Sequence, residues 1–232
     1  MNNTKQLSLR TFTWPFFLRT EMDRLLSLSM GFSITLVFLR IFHTGRLTFL
    51  FMIWNLFLAY IPYALTSWMS TRPPGISRRT FFIPLALVWL LFIPNSFYIL
   101  TDLFHLPGQY GDGGVPPWYD LALILSFAWN GLLLGVLSVR QMEKFLLRGS
   151  SVREELLFLY PVMWLNALGV YIGRYLRYNS WDVVKDPFEL LDDIARMIIH
   201  PLRNQPAWDM IGCFSILMTL IYLMMKRISK AL

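Results

Sequence analysis

Six stretches of the chain are each about twenty residues long and largely apolar, the length a helix needs to cross the hydrocarbon core of a bilayer. They run roughly Leu25–His43, Leu47–Met69, Phe81–Leu100, Tyr119–Val139, Leu156–Ile172 and Trp208–Met225. Of the 232 residues, 56% are hydrophobic, 16% are aromatic and only 15% are charged. A soluble domain of this size could not keep so many large apolar side chains from water. Disorder is excluded by the hydrophobicity. Collagen-like and disulfide-stapled classes are excluded by 13 Gly and a single Cys, Cys213. The expected fold is an all-α integral membrane bundle of about six transmembrane helices, one domain over residues 25–226. A basic, aromatic segment (1–24) precedes it and a basic tail (227–232) follows.

Arg40 interrupts the first stretch, and a charge at a helix centre is costly unless it snorkels or finds a partner. About 24 mostly polar residues precede this stretch and no small-residue cleavage site follows it, so it reads as an uncleaved anchor. The net charge of +7 would suggest nucleic acid in a soluble chain. Here the basic residues flank apolar runs, so no nucleic-acid partner is expected. Lys5, Arg10, Arg19, Arg24, Arg72, Arg78, Arg79, Arg140, Lys144, Arg148, Arg153, Lys226, Arg227 and Lys230 fall on one side of the six spans. The other side has Arg46, Arg174, Arg177, Lys185, Arg196 and Arg203. The positive-inside rule then places both termini in the cytoplasm of a multi-pass protein.

On that topology the outer side collects the polar residues. All three histidines (His43, His105, His200) fall there, with Asp102, Asp112, Asp120, Asp182, Arg46, Arg174 and Arg177. In Pro94–Leu106 (PNSFYILTDLFHL) the proline breaks or kinks a helix, and Asn95 can bond the backbone groups so freed. Asp102 and His105, three apart, share a helix face. That pair can bind a divalent metal or act as acid and base, or simply tie off a helix end. Asp120 follows Trp118 and Tyr119 at a helix start, where the dipole alone favours a carboxylate. Arg174 and Arg177 sit at the same three-residue spacing in YIGRYLRYNSWD, which suits a phosphate, neighbouring carboxylates, or snorkelling. Asp186–His200 reads as a short amphipathic helix lying on the outer surface, with Asp186 and Glu189 as a capping box. His200 can then face the pocket of His105, or only water. Asn55, Asn130 and Asn166 lie within spans, where interhelical hydrogen bonds explain them. P-loop, GxGxxG, HExxH, GxSxG and CxxC patterns are all missing.

Trp54–Pro62 (WNLFLAYIP), Pro94–Leu106, Trp118–Asp120 (WYD) and Tyr171–Asp182 together resemble the bacterial integral-membrane family called domain of unknown function thirteen sixty-one. The resemblance covers most of the chain from the second span onward, and implies a polytopic protein of the bacterial cytoplasmic membrane. Its motif positions point to Asn95, Thr101, Asp102, His105, Asp120, Arg174, Arg177, Asn179 and Asp182.

Three functional classes fit these residues. The first is binding of an anionic lipid, envelope precursor or membrane-protein partner by the outer cluster, through Arg174, Arg177, Asn179 and Asp182. The second is a membrane-embedded enzyme acting on a lipid-linked substrate, with Asp102, His105 and Asp120 as acid–base groups, or Asp102, His105 and His200 as metal ligands. The third is a transporter gated at the Pro94–Asn95 break, with Asn95 and Thr101 as the polar helix-break candidates. The cluster can also serve only to join helix ends. In a Cys213→Ser background, Ser180→Cys should react with an impermeant thiol reagent on intact cells and Ser151→Cys should not. The reverse labelling would overturn the orientation.

Overall fold

A computed structural model of the chain describes residues 21–70, 79–108, 115–147 and 152–231. Among these residues every element is helical. The order is α1 (Glu21–Thr44), α2 (Phe51–Ser70), α3 (Arg79–Tyr98), a 3-10 extension (Ile99–Gly108) and α4 (Pro117–Leu146). Then follow α5 (Val152–Tyr171), a π turn (Ile172–Leu176), α6 (Asp182–Lys185), α7 (Pro187–Ile199) and α8 (Gln205–Ala231). Most of the expected N-terminal segment, residues 109–114 of the Pro107–Pro117 loop with Asp112, and the basic loop residues Arg72, Arg78, Arg148 and Ser151 lie outside the described residues.

Among the described residues five helices are long and apolar enough to cross a membrane: α1, α3 with its extension, α4, α5 with the π turn, and α8. The sixth expected span, α2, has the length at 20 residues, but Asn55, Tyr60, Pro62, Tyr63 and Thr66 dilute its hydropathy. That dilution suits its place, because Pro62, Tyr63 and Thr66 are buried against other helices. The axis of the bundle is α4, whose apolar window is 67% buried against 22% for α1 and α8. One of its sides packs with α1 and α2 through Val37, Met52, Ala59, Leu123 and Phe127. The other packs with α3, α5 and α8 through Ile93, Phe97, Val139, Met163 and Met218.

Glycines allow the closest approaches. A Cβ on Gly131 of α4 would lie 2.7 Å from the Ser96 carbonyl oxygen, and one on Gly135 would lie 2.9 Å from the Phe97 ring. On α5, a Cβ on Gly169 would lie 2.6 Å from the Pro94 ring, and in the π turn that follows, one on Gly173 would lie 3.3 Å from Tyr98. The turn Pro94–Tyr98 is thus seated between two small-xxx-small pairs, the pattern that lets helix backbones meet in lipid.

Most polar side chains within the bundle find one another, as Asn130 of α4 does in donating to Ser33 of α1 (2.9 Å). Asn166, however, reaches only the Met163 sulfur of its own helix (3.9 Å), and the interhelical bond expected of it does not form. At the end formed by the C-termini of α2, α4 and α8, the Lys226 Nζ lies 2.7 Å from Glu143 and also bonds Glu155. Arg140 and the Tyr222 hydroxyl donate to the same Glu143 carboxylate. Nearby, the Trp89 indole donates to Ser138 (2.8 Å), the Thr66 hydroxyl to Gln141 (2.7 Å), and the Tyr63 hydroxyl to Asp23 (2.5 Å). A helix can carry such groups through lipid only when they are paired.

The amphipathic segment forms α7, close to its expected limits. Leu190 and Met197 are buried on the bundle, while Phe188, Leu191, Ile198 and Ile199 are exposed. Pro187 opens it, yet Asp186 provides no side-chain cap. The capping-box expectation fails because the Asp186 backbone is still closing α6, its N–H donating to the Asp182 carbonyl (2.8 Å).

Gly169→Ala should lower thermal stability in detergent by about 1–3 kcal/mol, the usual cost of overpacking, because the proline ring it meets cannot swing away. Gly212→Ala, which meets nothing within 4 Å, should not destabilise. Equal melting temperatures for the two variants would refute the close seat of α3.

Candidate functional site

The C-terminal ends of α1, α3 and α5 and the N-terminal ends of α2, α4 and α8 form one end of the bundle. This end holds the three histidines and nearly all the residues singled out from sequence. Two buried carboxylates organise it, each with its own arginine.

Asp120, in the first turn of α4, takes Arg40 of α1. The Arg40 Nε lies 2.7 Å from one carboxylate oxygen and an Nη 3.1 Å from the other. Both side chains are almost fully buried, and the guanidinium sits 4.6 Å over the Phe49 ring. Beside it, the Tyr119 hydroxyl donates to the Leu36 carbonyl (2.8 Å). The charge that interrupts the first span is therefore neutralised by a two-pronged bond.

Asp102, 1% exposed, lies on the 3-10 extension. It accepts from the Asn55 amide (3.2 Å) and from Arg174 (3.3 Å). The 3-10 winding stacks side chains three apart. Tyr98 and Phe104, two such turns apart, accordingly both lie against the Arg174 guanidinium, at 6.0 and 5.6 Å. The Thr101 hydroxyl between them donates to the Tyr98 carbonyl (2.7 Å). The same spacing brings His105 Nδ1 to 3.1 Å from the Asp102 carbonyl oxygen and 3.8 Å from its carboxylate. Since a carbonyl can only accept, Nδ1 carries the proton there. The imidazole packs at 5.3 Å on Phe51.

Arg174 and Arg177 do not form the expected pair on one face. The π turn adds a residue to the last turn of α5, and Arg177 becomes its left-handed cap (φ 63°). Its side chain is exposed. Asn179 and Asp182 serve the following turn: the Asp182 carboxylate accepts the Asn179 backbone N–H (2.6 Å) and its side-chain amide (3.1 Å). His200 is not brought to His105. It lines a separate cavity with Asp193, Arg196 and Arg203. Among the described residues no three His, Cys, Asp or Glu side chains converge as metal ligands. The set Asp102, His105 and His200 therefore does not assemble.

Next to Asp102 and behind the Pro94 break lies a groove of about 540 Å³, between α2, α3, α5 and the α6–α7 segment. Leu87, Val88, Leu91, Leu165 and Leu168 make it apolar along most of its length. Of these, Leu87, Val88 and Leu165 are exposed on the outside of the bundle, so the groove opens sideways, where lipid would be. Its other end is polar, with Asn55, Asn95, Tyr178, Asn179 and Ser180. The Asn95 amide donates to Ser180 (2.9 Å) and to the Phe92 carbonyl (2.9 Å) in the turn before Pro94. Among the described residues its lining carries no Asp, Glu, Lys, Arg or His.

Reading the sequence missed Arg40 as the partner of Asp120, and Asn55 as that of Asp102. It also missed Ser180 and the two glycine pairs. Arg40 was findable: it stands one turn from the end of the first span and Asp120 opens the fourth, so antiparallel helices place them at equal depth.

The fold is that of a helical protein with several membrane-capable helices and a polar, proline-broken end. The chain matches the family described as protein of unknown function (DUF1361) over residues 54–224, and it belongs to that family. No curated protein and no solved structure matches it.

Arg40→Ala or Asp120→Ala alone should destabilise by about 3–5 kcal/mol, because each strands a buried charge. Arg40→Met combined with Asp120→Leu should regain most of that loss in thermal unfolding. A double variant as unstable as the sum of the two would show that the pair is not the source.

Proposed function

We propose that this protein is a multi-pass component of the bacterial cell membrane, with both termini cytoplasmic, that binds an amphipathic membrane molecule in the groove between α2, α3 and α5. One observation carries the reading: the groove is apolar where it opens through Leu87, Val88 and Leu165 and polar where it ends at Asn95 and Ser180. An acyl or prenyl chain suits the first part, and a hydrogen-bonding headgroup suits the second. Its size and its few convergent polar groups are those of small-molecule sites in general. The distribution of basic residues supports the orientation and puts the polar end at the outer leaflet.

This differs from an anion site built on Arg174 and Arg177, since neither arginine lines the groove and Arg174 is turned to the buried Asp102. An acid–base role for Asp102 and His105 keeps the support of their 3.8 Å approach. Yet Asp102 is held by Arg174 and Asn55 and is almost closed to solvent, which favours joining α2, the 3-10 extension and α5 over chemistry.

Filling the groove tests the reading. Leu91→Trp and Leu168→Trp should each lower lipid retention on the protein by about tenfold, corresponding to about 1.4 kcal/mol, as read by native mass spectrometry after detergent purification. Retention equal to the unaltered protein in both variants would overturn it.

A further inference from the structure

The second cavity, about 450 Å³, has a different character. It lies beneath α7, and Arg196, His200, Arg203 and Asp193 line it together with Asn204 and Tyr171. Arg203 is exposed and Arg196 pairs with Asp192 at the surface. The one carboxylate facing the cavity, Asp193, already accepts the Tyr178 hydroxyl (2.9 Å), which holds that phenol's pKa above its ordinary value. Asp192 takes one edge of Arg196 but lines no part of the cavity, and among the described residues that line it two guanidiniums face a single carboxylate already engaged by Tyr178, which favours an anion over a cation. Guanidinium forks suit the oxygens of a phosphate in particular.

The two cavities adjoin. Tyr178 lines the groove and Asp193 lines the charged cavity, so the Tyr178–Asp193 hydrogen bond stands at their boundary. Ile172 faces the groove and its chain neighbour Tyr171 the charged cavity, so the start of the π turn serves both. On α7, Leu190 belongs to the groove and Met197 to the charged cavity. The exposed apolar side chains Phe188, Leu191, Ile198 and Ile199 suit a helix lying at the boundary of headgroups and acyl chains. That depth is where the phosphate of a membrane lipid sits.

We infer that the two cavities form one bipartite site for a phosphate joined to an apolar chain. The phosphate is held by Arg196 and Arg203, with His200 beside them, and the chain lies in the groove. This rests on the groove reading above and adds the class of headgroup. A membrane phospholipid and free phosphate share the anionic chemistry, and the test separates them.

The full-length protein in phosphate-free maltoside micelles is titrated with phosphatidic acid, with diacylglycerol of the same chains, and with inorganic phosphate. Binding is read by native mass spectrometry. Phosphatidic acid is expected to bind about tenfold more tightly than diacylglycerol, the worth of a charge-assisted hydrogen bond, and inorganic phosphate more weakly than either. Arg203→Ala and Arg196→Ala should each bring phosphatidic acid down toward diacylglycerol and leave diacylglycerol unchanged. Arg177→Ala, an exposed arginine lining neither cavity, should change nothing. Leu168→Trp should weaken both lipids.

Equal binding of the two lipids to the unaltered protein, with Leu168→Trp lowering both, would overturn the phosphate site and leave the groove standing. Lipid binding indifferent to Leu168→Trp would overturn the groove and the bipartite site together. Inorganic phosphate bound as tightly as phosphatidic acid would make the ligand a free anion and overturn the joined site. An Arg177→Ala loss as large as that of Arg203→Ala would reduce the effect to surface charge and overturn it too.

Discussion

The turn Pro94–Tyr98 meets glycine on two sides, Gly131 and Gly135 of α4 and, on the other, Gly169 of α5 and Gly173 of its π turn. Much else at this end of the molecule follows from that seat. It brings α3 close enough for the Ser96 hydroxyl to donate to the Ala59 carbonyl of α2 (2.9 Å). It fixes the start of the 3-10 extension and so the position of Asp102. It also leaves the volume on the far side of Pro94 unfilled, and that volume is the groove. In lipid, where apolar attraction between helices is weak, such close packing carries the association.

Two ways of handling charge coexist around this seat. Arg40 and Asp120 neutralise each other in a buried bidentate pair that leaves little for a ligand. Asp102 divides its oxygens between an amide and an arginine, joining three elements at one carboxylate. At the opposite end, Glu143 and Glu155 share Lys226. These groups explain why a chain so poor in charge still carries charges inside its helices. Among the described residues Arg177 and Arg203, which have no buried carboxylate beside them, are exposed beyond the helix ends.

Much of the fold was legible in the sequence because lipid solvent leaves few solutions. Apolar runs of about twenty residues become helices, and α7 announced itself by its periodicity. The family, too, was visible in its motifs. What could not be read depends on winding and on distance. A straight α-helix was assumed where the chain uses a π turn, which separated Arg174 from Arg177, and where it uses 3-10 winding, which lined up Tyr98 and Phe104. No local pattern says that Asn55 meets Asp102, or that His200 lies away from His105, because those facts are set by how α2, α5 and α7 pack.

The partner of Arg40 lies eighty residues further along the chain. During synthesis α1 therefore enters the membrane with a lone guanidinium near one end, and α2 and α3 follow before the compensating carboxylate exists. Until α4 is made, Arg40 rests most cheaply at the lipid–water boundary, where its head can stay hydrated. Arrival of Asp120 lets the arginine withdraw over Phe49. The burial of Arg40 in the first helix thus depends on a residue of the fourth, so α1 cannot hold its final place in the bundle without α4.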